Sequence, residues 1–135
     1  MKLDKNIIVF GDQKFRDKKC PSEEAEQVTI FNQLRANYPE LADLATHIKN
    51  EGLKSYKVAS KDAINGLNKG FSDIIIIGSP VFVCELKKAD FTKSRASKEQ
   101  QEFLINAQNA GAFACIALGH KGFFEALEAW QDAQR

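Results

Sequence analysis

A chain of 135 residues with 44% hydrophobic content can bury one core without disulfide or metal staples. Charged residues make up 27% of it and nearly cancel, to +1, so net charge does not steer it to a polyanion; any such attraction has to come from local clustering. Cys20, Cys84 and Cys115 are widely spaced, which argues against a disulfide framework and a zinc ribbon and points to a reducing cytoplasm, and no apolar run approaches the length of a signal-peptide core or a membrane span.

In chain order, residues 1–21 read as a basic arm, with Lys14, Arg16, Lys18 and Lys19 near its end and Ile7 to Phe10 as a short apolar run suited to an edge strand. Ser22 can cap a helix over about 22–36, whose first turn holds Glu23, Glu24 and Glu26 and whose apolar residues Ala25, Val28, Phe31 and Leu34 follow at roughly helical spacing. Tyr38-Pro39 ends it. The stretch from Glu40 to Gly52 fits either a short helix or a loop leading into a strand near Thr46 to Ile48. Val58 to Asn68 has helical spacing, with Gly70 placed to close it. Asp73 to Ile77 and Val81 to Lys87 are β-branched-rich runs separated by Gly78-Ser79-Pro80, which predicts a hairpin. Ser97 opens a helix carrying Phe103, Leu104, Ala107 and Ala110 and closed by Gly111; Ala112 to Leu118 follows as a buried strand, and Phe123 to Ala133 as an amphipathic helix. This order predicts an α/β (α+β) fold with a mixed central sheet flanked by helices, and residues 22–135 form its single domain.

The hairpin carries the chemistry. If Gly78 to Pro80 form the loop, Ile77 sits opposite Val81 and Asp73 opposite Glu85. Strand side chains alternate faces, so Asp73, Ile75, Ile77, Val81, Val83, Glu85 and Lys87 share one face, while Phe82, Cys84 and Leu86 share the other. Two carboxylates facing each other across strands repel, and a bound cation relieves that repulsion. Mg²⁺ takes one or two carboxylates plus waters and substrate phosphate, which this pair can offer, and Lys87 is placed to orient an attacking water or neutralise charge on a phosphate. The same residues also fit a plain reading as strand-end charges in a solvated salt bridge with Lys87 or Lys88.

Glu23, Gln27, Ile30 and Leu34 fall within one arc of the first helix, so Glu23 and Gln27 can face the same cluster; Glu23 is equally suited to complementing the helix N-terminus. Gln100 also has two readings, because Ser97-Lys98-Glu99-Gln100 fits a capping box.

Together these residues resemble the VRR-NUC branch of the PD-(D/E)XK nucleases, small domains found alone in phages and fused into larger DNA-repair proteins. The resemblance covers about residues 22–130. GFSDIIIIGSPVFVCELKK looks like the family's Gly-x-x-Asp, strand, turn, Glu-x-Lys core, which puts Asp73, Glu85 and Lys87 at its catalytic positions. SEEAEQVTIFNQLRANYPEL looks like its opening helix, with Glu23 as the supporting acid, a role also open to Glu24 or Glu26, and Gln27 beside it. HIKNEG resembles the segment before the core, and SKEQQEFLINAQNAGAFACIAL the Gln-bearing helix and last strand, with Gln100 as the matching residue. Ser72 stands where the family motif has Pro. The resemblance implies a restriction-endonuclease-like core, metal ligands Asp73, Glu85 and Glu23, dependence on Mg²⁺ or Mn²⁺, DNA as substrate and, for stand-alone members, a homodimer acting on branched DNA such as Holliday junctions.

Residues 87–98 carry five basic side chains against one acid, directly after the proposed catalytic strand. Lys88, Lys93, Arg95 and Lys98 can grip phosphates there, with Gln27 as a further DNA contact, although a solvated surface loop has the same composition. His47 and His120 lack metal-ligand spacing and read as structural or surface residues, and Cys84 and Cys115 as core. Phe123, Phe124, Leu127 and Trp130 suit either the core or a dimer face. Two competing functions share these features: a non-catalytic DNA-binding or assembly module, and an RNA-directed hydrolase.

Overall fold

The computed structural model describes residues 1–48 and 68–134, with Lys61 and Gly66 between them. The helix expected over Val58 to Asn68 and the last four residues of HIKNEG fall almost wholly outside the described residues. Five strands form one sheet: β1 (Val9–Phe10), β2 (Ala45–His47), β3 (Ile74–Ile76), β4 (Phe82–Lys87) and β5 (Phe113–Leu118), in the order β1-β5-β4-β3-β2. The ladders β1–β5 and β5–β4 are parallel and β4–β3 and β3–β2 antiparallel, which makes the sheet mixed as expected. Four described helices accompany it: α1 (Glu23–Asn37), α2 (Pro39–Ala42), α3 (Lys98–Asn109) and α4 (Gly119–Ala133). The ambiguous stretch after Tyr38 holds both alternatives in succession, the short α2 and then β2.

Period-two alternation in the hairpin decides which side chains meet which layer. Ile74 pairs with Cys84, Ile75 with Val83 and Ile76 with Phe82, the register that a three-residue turn imposes, and its continuation sets Asp73 across from Glu85. One sheet face packs Ile74, Ile76, Phe82, Cys84 and Leu86 against Ile30 and Leu34 of α1 and Phe123, Leu127 and Trp130 of α4. The other packs Val83, Ala114, Ile116 and Leu118 against Leu104, Phe103 and Ala107 of α3 and against Leu3, Ile7 and Val9. Phe123, Leu127 and Trp130 are thus core residues, and the half-buried Phe124 stacks on Tyr38 at 6.0 Å.

Trp130 also holds the hairpin turn. Its indole Nε1 donates to the Pro80 carbonyl at 2.8 Å, and a Cβ added at Gly78 would lie 2.5 Å from the same ring. The N-terminal 21 residues lie along the body, tied by Asp4 N–H to Gln101 (3.0 Å), Gly11 N–H to Glu125 (3.0 Å) and Asp17 N–H to Asp90 (2.9 Å), with Lys14, Arg16, Lys18 and Lys19 exposed. Among the described residues no helix is long and apolar enough to cross a membrane.

Candidate active site

β4 is buried along its whole length, yet its last residues are not apolar: Glu85 is 1% exposed and Lys87 4%. Both lie on the side of the sheet that α3 covers. The first turn of α3 brings Gln100 over them, and the hairpin register brings Asp73 in from the neighbouring strand end. Gln100 Nε2 donates to Glu85 Oε2 at 3.2 Å, and Lys87 Nζ donates to Gln100 Oε1 at 3.2 Å while lying 3.5 Å from Glu85 Oε2. Gln100 Oε1 also accepts the Ser97 N–H at 2.9 Å, and Ser97 Oγ accepts the Gln100 N–H at 3.1 Å. Both readings of Gln100 therefore hold at once: it completes a capping box and is locked by that cap in the orientation that serves Glu85 and Lys87.

Asp73, half-buried, accepts the Leu86 N–H at 2.8 Å, which fixes its carboxylate beside the strand that carries Glu85. Burial above all, then the Asp73 charge and a hydrogen bond with Asp73, push the Glu85 carboxyl from its usual 4.5 up to about 9, against the downward pull of Lys87. Among the described residues Glu85 Oε1 is buried with no hydrogen-bond partner, and such an orphaned acceptor costs roughly 1–3 kcal/mol. The hydroxyl of Ser72, next to Asp73, is likewise buried and unpartnered.

This donor set fits a divalent ion. Burial and the neighbouring Asp73 charge disfavour an ionised Glu85, one of its oxygens has nothing to bind among the described residues, and a hard cation with oxygen ligands relieves both conditions. Among the described residues no three His, Cys, Asp or Glu side chains converge on one point, so protein ligation at this site is a matter of two carboxylates, with waters and phosphate filling the rest of a shell.

The remaining expected residues stand at varying distances from this pair. Glu23, in the first turn of α1, accepts from Ser94 Oγ at 3.1 Å, and its charge adds to the upward push on Glu85. Glu24 is exposed. Glu26 is 3% exposed and engaged elsewhere: its carboxylate takes the His120 N–H and ring Nδ1, each at 2.9 Å, capping α4 from across the chain. Gln27 lines a groove with Phe31, Arg35, Ala45 and His47, whose walls include none of Asp73, Glu85, Lys87 or Gln100. Lys88 is half-buried, Lys93, Arg95 and Lys98 are exposed, and Lys98 lies 3.8 Å from Glu102.

Asp90 and Ser94 are not singled out by the sequence, and Glu26 is singled out there for another role, as a candidate supporting acid. Asp90, the lone acid of the basic loop, is 1% exposed and caps the 3₁₀ turn Phe91–Lys93 through Thr92; the Thr92 hydroxyl above all holds its carboxyl down at about 2. Ser94 reaches Glu23 and the Lys88 N–H, and Glu26 reaches His120. All depend on partners brought together by the fold; only the Asp90-x-Thr92 spacing hints at a local turn. Cys84 and Cys115 are fully buried, and burial pushes the Cys84 thiol up, which removes it as a nucleophile.

The chain superimposes on a solved structure described as a "VRR_NUC domain protein" with a TM-score of 0.71, over 84% of this chain and 91% of that one, at 21% identity. No family model matches it, and no curated protein does. The five-stranded mixed sheet with its flanking helices thus has the fold of that VRR_NUC domain protein.

Proposed function

We propose that this chain is a VRR-NUC-type, Mg²⁺- or Mn²⁺-dependent endonuclease that hydrolyses phosphodiester bonds in branched DNA and works as a homodimer. The observation that carries the reading is the half-buried Asp73 set against the buried Glu85, whose Oε1 finds no partner among the described residues, beside a buried lysine. Asp73 and Glu85 would hold the ion, with Glu23 in support. A divalent ion there supplies Lewis acidity: it eases deprotonation of water and stabilises charge on a phosphodiester.

The chain's own residues do the rest. Lys87, fixed between Glu85 and Gln100, presents its ammonium to the attacking water or to charge growing on the phosphate. Gln100 keeps both side chains in place at no added entropic cost during reaction, because its own rotamer is locked by the Ser97 cap. Lys88, Lys93, Arg95 and Lys98, on the segment that follows β4, would take backbone phosphates, contacts that weaken steeply with salt.

A nicking assay tests this. The wild type should cut labelled four-way or flap DNA with Mg²⁺ or Mn²⁺ and stop in chelator, and Asp73→Ala and Lys87→Ala should each lose at least about a hundredfold in rate. If the wild type binds DNA and cuts nothing, the chain is a DNA-binding module; if it prefers structured RNA, the substrate assignment is wrong. Light scattering that shows a monomer at working concentration would remove the homodimer.

A further inference from the structure

Ser94 has two partners from different parts of the chain. It is 7% exposed; its Oγ donates to Glu23 Oε2 at 3.1 Å and accepts the Lys88 N–H at 3.0 Å. The segment between Lys88 and Ser94 is closed on itself by Asp90, whose carboxylate takes the Thr92 N–H (2.9 Å), the Thr92 hydroxyl (2.6 Å) and the Asp17 N–H (2.9 Å). Ser94 thus sits at the foot of a folded loop and not on a slack span.

Glu23 matches the supporting acid of the motif, yet it does not complete a three-carboxylate cluster with Asp73 and Glu85 among the described residues. Ser94 nevertheless ties it to the N–H of Lys88, the residue that follows Lys87 at the end of β4. A carboxylate held at that strand end, outside the shared cluster and gripped by a buried hydroxyl, is suited to accept hydrogen bonds from the waters that Mg²⁺ and Mn²⁺ retain. We infer that Ser94 is a positioning residue: it holds the Glu23 carboxylate beside the Asp73–Glu85 pair as an outer-shell acceptor and, through the Lys88 N–H, ties the basic loop to the same point. This role rests on the ion-binding reading above.

The test is calorimetric titration of the full chain with Mn²⁺ in the absence of DNA, for the wild type, Ser94→Ala, Ser94→Thr, Glu23→Ala and the Glu23→Ala/Ser94→Ala double variant. Ser94→Ala should weaken Mn²⁺ binding about three- to tenfold, at or below the low end of outer-shell effects, and Ser94→Thr, which keeps the hydroxyl, should stay within about twofold of the wild type. In the Glu23→Ala background the Ser94→Ala change should add nothing, because its effect runs through Glu23. Should Ser94→Ala fail to fold, Ser94→Cys, with a weaker donor of similar size, must show the same weakening. Unchanged or tighter binding by these variants overturns the role, as does an equal loss in both backgrounds, which marks loop packing instead. A wild type that binds no Mn²⁺ overturns the ion reading itself and takes this role with it.

Discussion

The two faces of β4 are equally buried and chemically opposite. Toward α1 and α4 the strand presents Phe82, Cys84 and Leu86, and Phe82 alone sits within 5.3–5.9 Å of the rings of Trp130, Phe123 and Phe113. Toward α3 it presents Val83 and then, two and four residues on, Glu85 and Lys87. The first face gains free energy from every residue it buries. The second buries two ionisable groups, and burial pushes the Glu85 carboxyl toward its neutral form because its desolvation is not fully offset by Lys87. Six consecutive buried residues therefore divide, by alternation alone, into a stretch that stabilises the domain and a stretch that strains it.

The strongest way to break the comparison is on the apolar face. Phe82→Ala should destabilise the domain by about 3–5 kcal/mol, read from urea or thermal unfolding, because it empties the meeting point of three aromatic rings. A loss no greater than that of an exposed residue would mean that this face does not anchor the fold.

A smaller effect of opposite sign is expected on the ionic face. Glu85→Gln should stabilise the metal-free protein at pH 7 by about 1–3 kcal/mol while abolishing ion binding. The sign follows from the raised carboxyl: Glu85 binds its proton more tightly when folded, so its contribution is full below 4.5 and is lost as pH rises toward 9. The wild-type melting temperature without metal should fall across that window, the Gln variant should be flatter, and Mg²⁺ should restore the wild type. A wild type as flat as the variant would show that Glu85 is not held protonated.

The smallest effect concerns the loop that follows. The Asp90 carboxyl is held at about 2, below its ordinary 3.8, so its contribution is full above 3.8 and is lost as pH falls toward 2. Urea unfolding between pH 5 and 2 should show Asp90→Asn losing less stability than the wild type over that interval. Equal losses would place the loop's order elsewhere.

The hairpin was legible because two local rules agree there: a three-residue Gly-Ser-Pro turn sets the register, and a period of two sorts the faces, so Asp73, Glu85 and Lys87 could be set together from the sequence alone. Gln100 was legible as a cap and as a site residue, and only the coordinates show that the first use serves the second. Gln27 shares its helical arc with Glu23, but one turn further along α1 it lines the groove beside β2. The start of α4 was placed at Phe123 and lies at Gly119, because the Glu26 carboxylate caps it from 94 residues away, and no local pattern carries so distant a partner. Ser94 and Asp90 are small polar residues in a basic loop, where composition says solvent and the fold says otherwise.

The contact of Trp130 with the hairpin turn reaches further than packing. The indole grips the Pro80 carbonyl and leaves no room for a side chain at Gly78, so the far end of α4 pins the very residues that count off the two strands. A slip of one position would turn Glu85 inward among the aromatics and present Cys84 in its stead. The spacing of the two acids is thus gauged from the opposite end of the hairpin, and damage at Trp130 would be read out at the far end of the strands it pins.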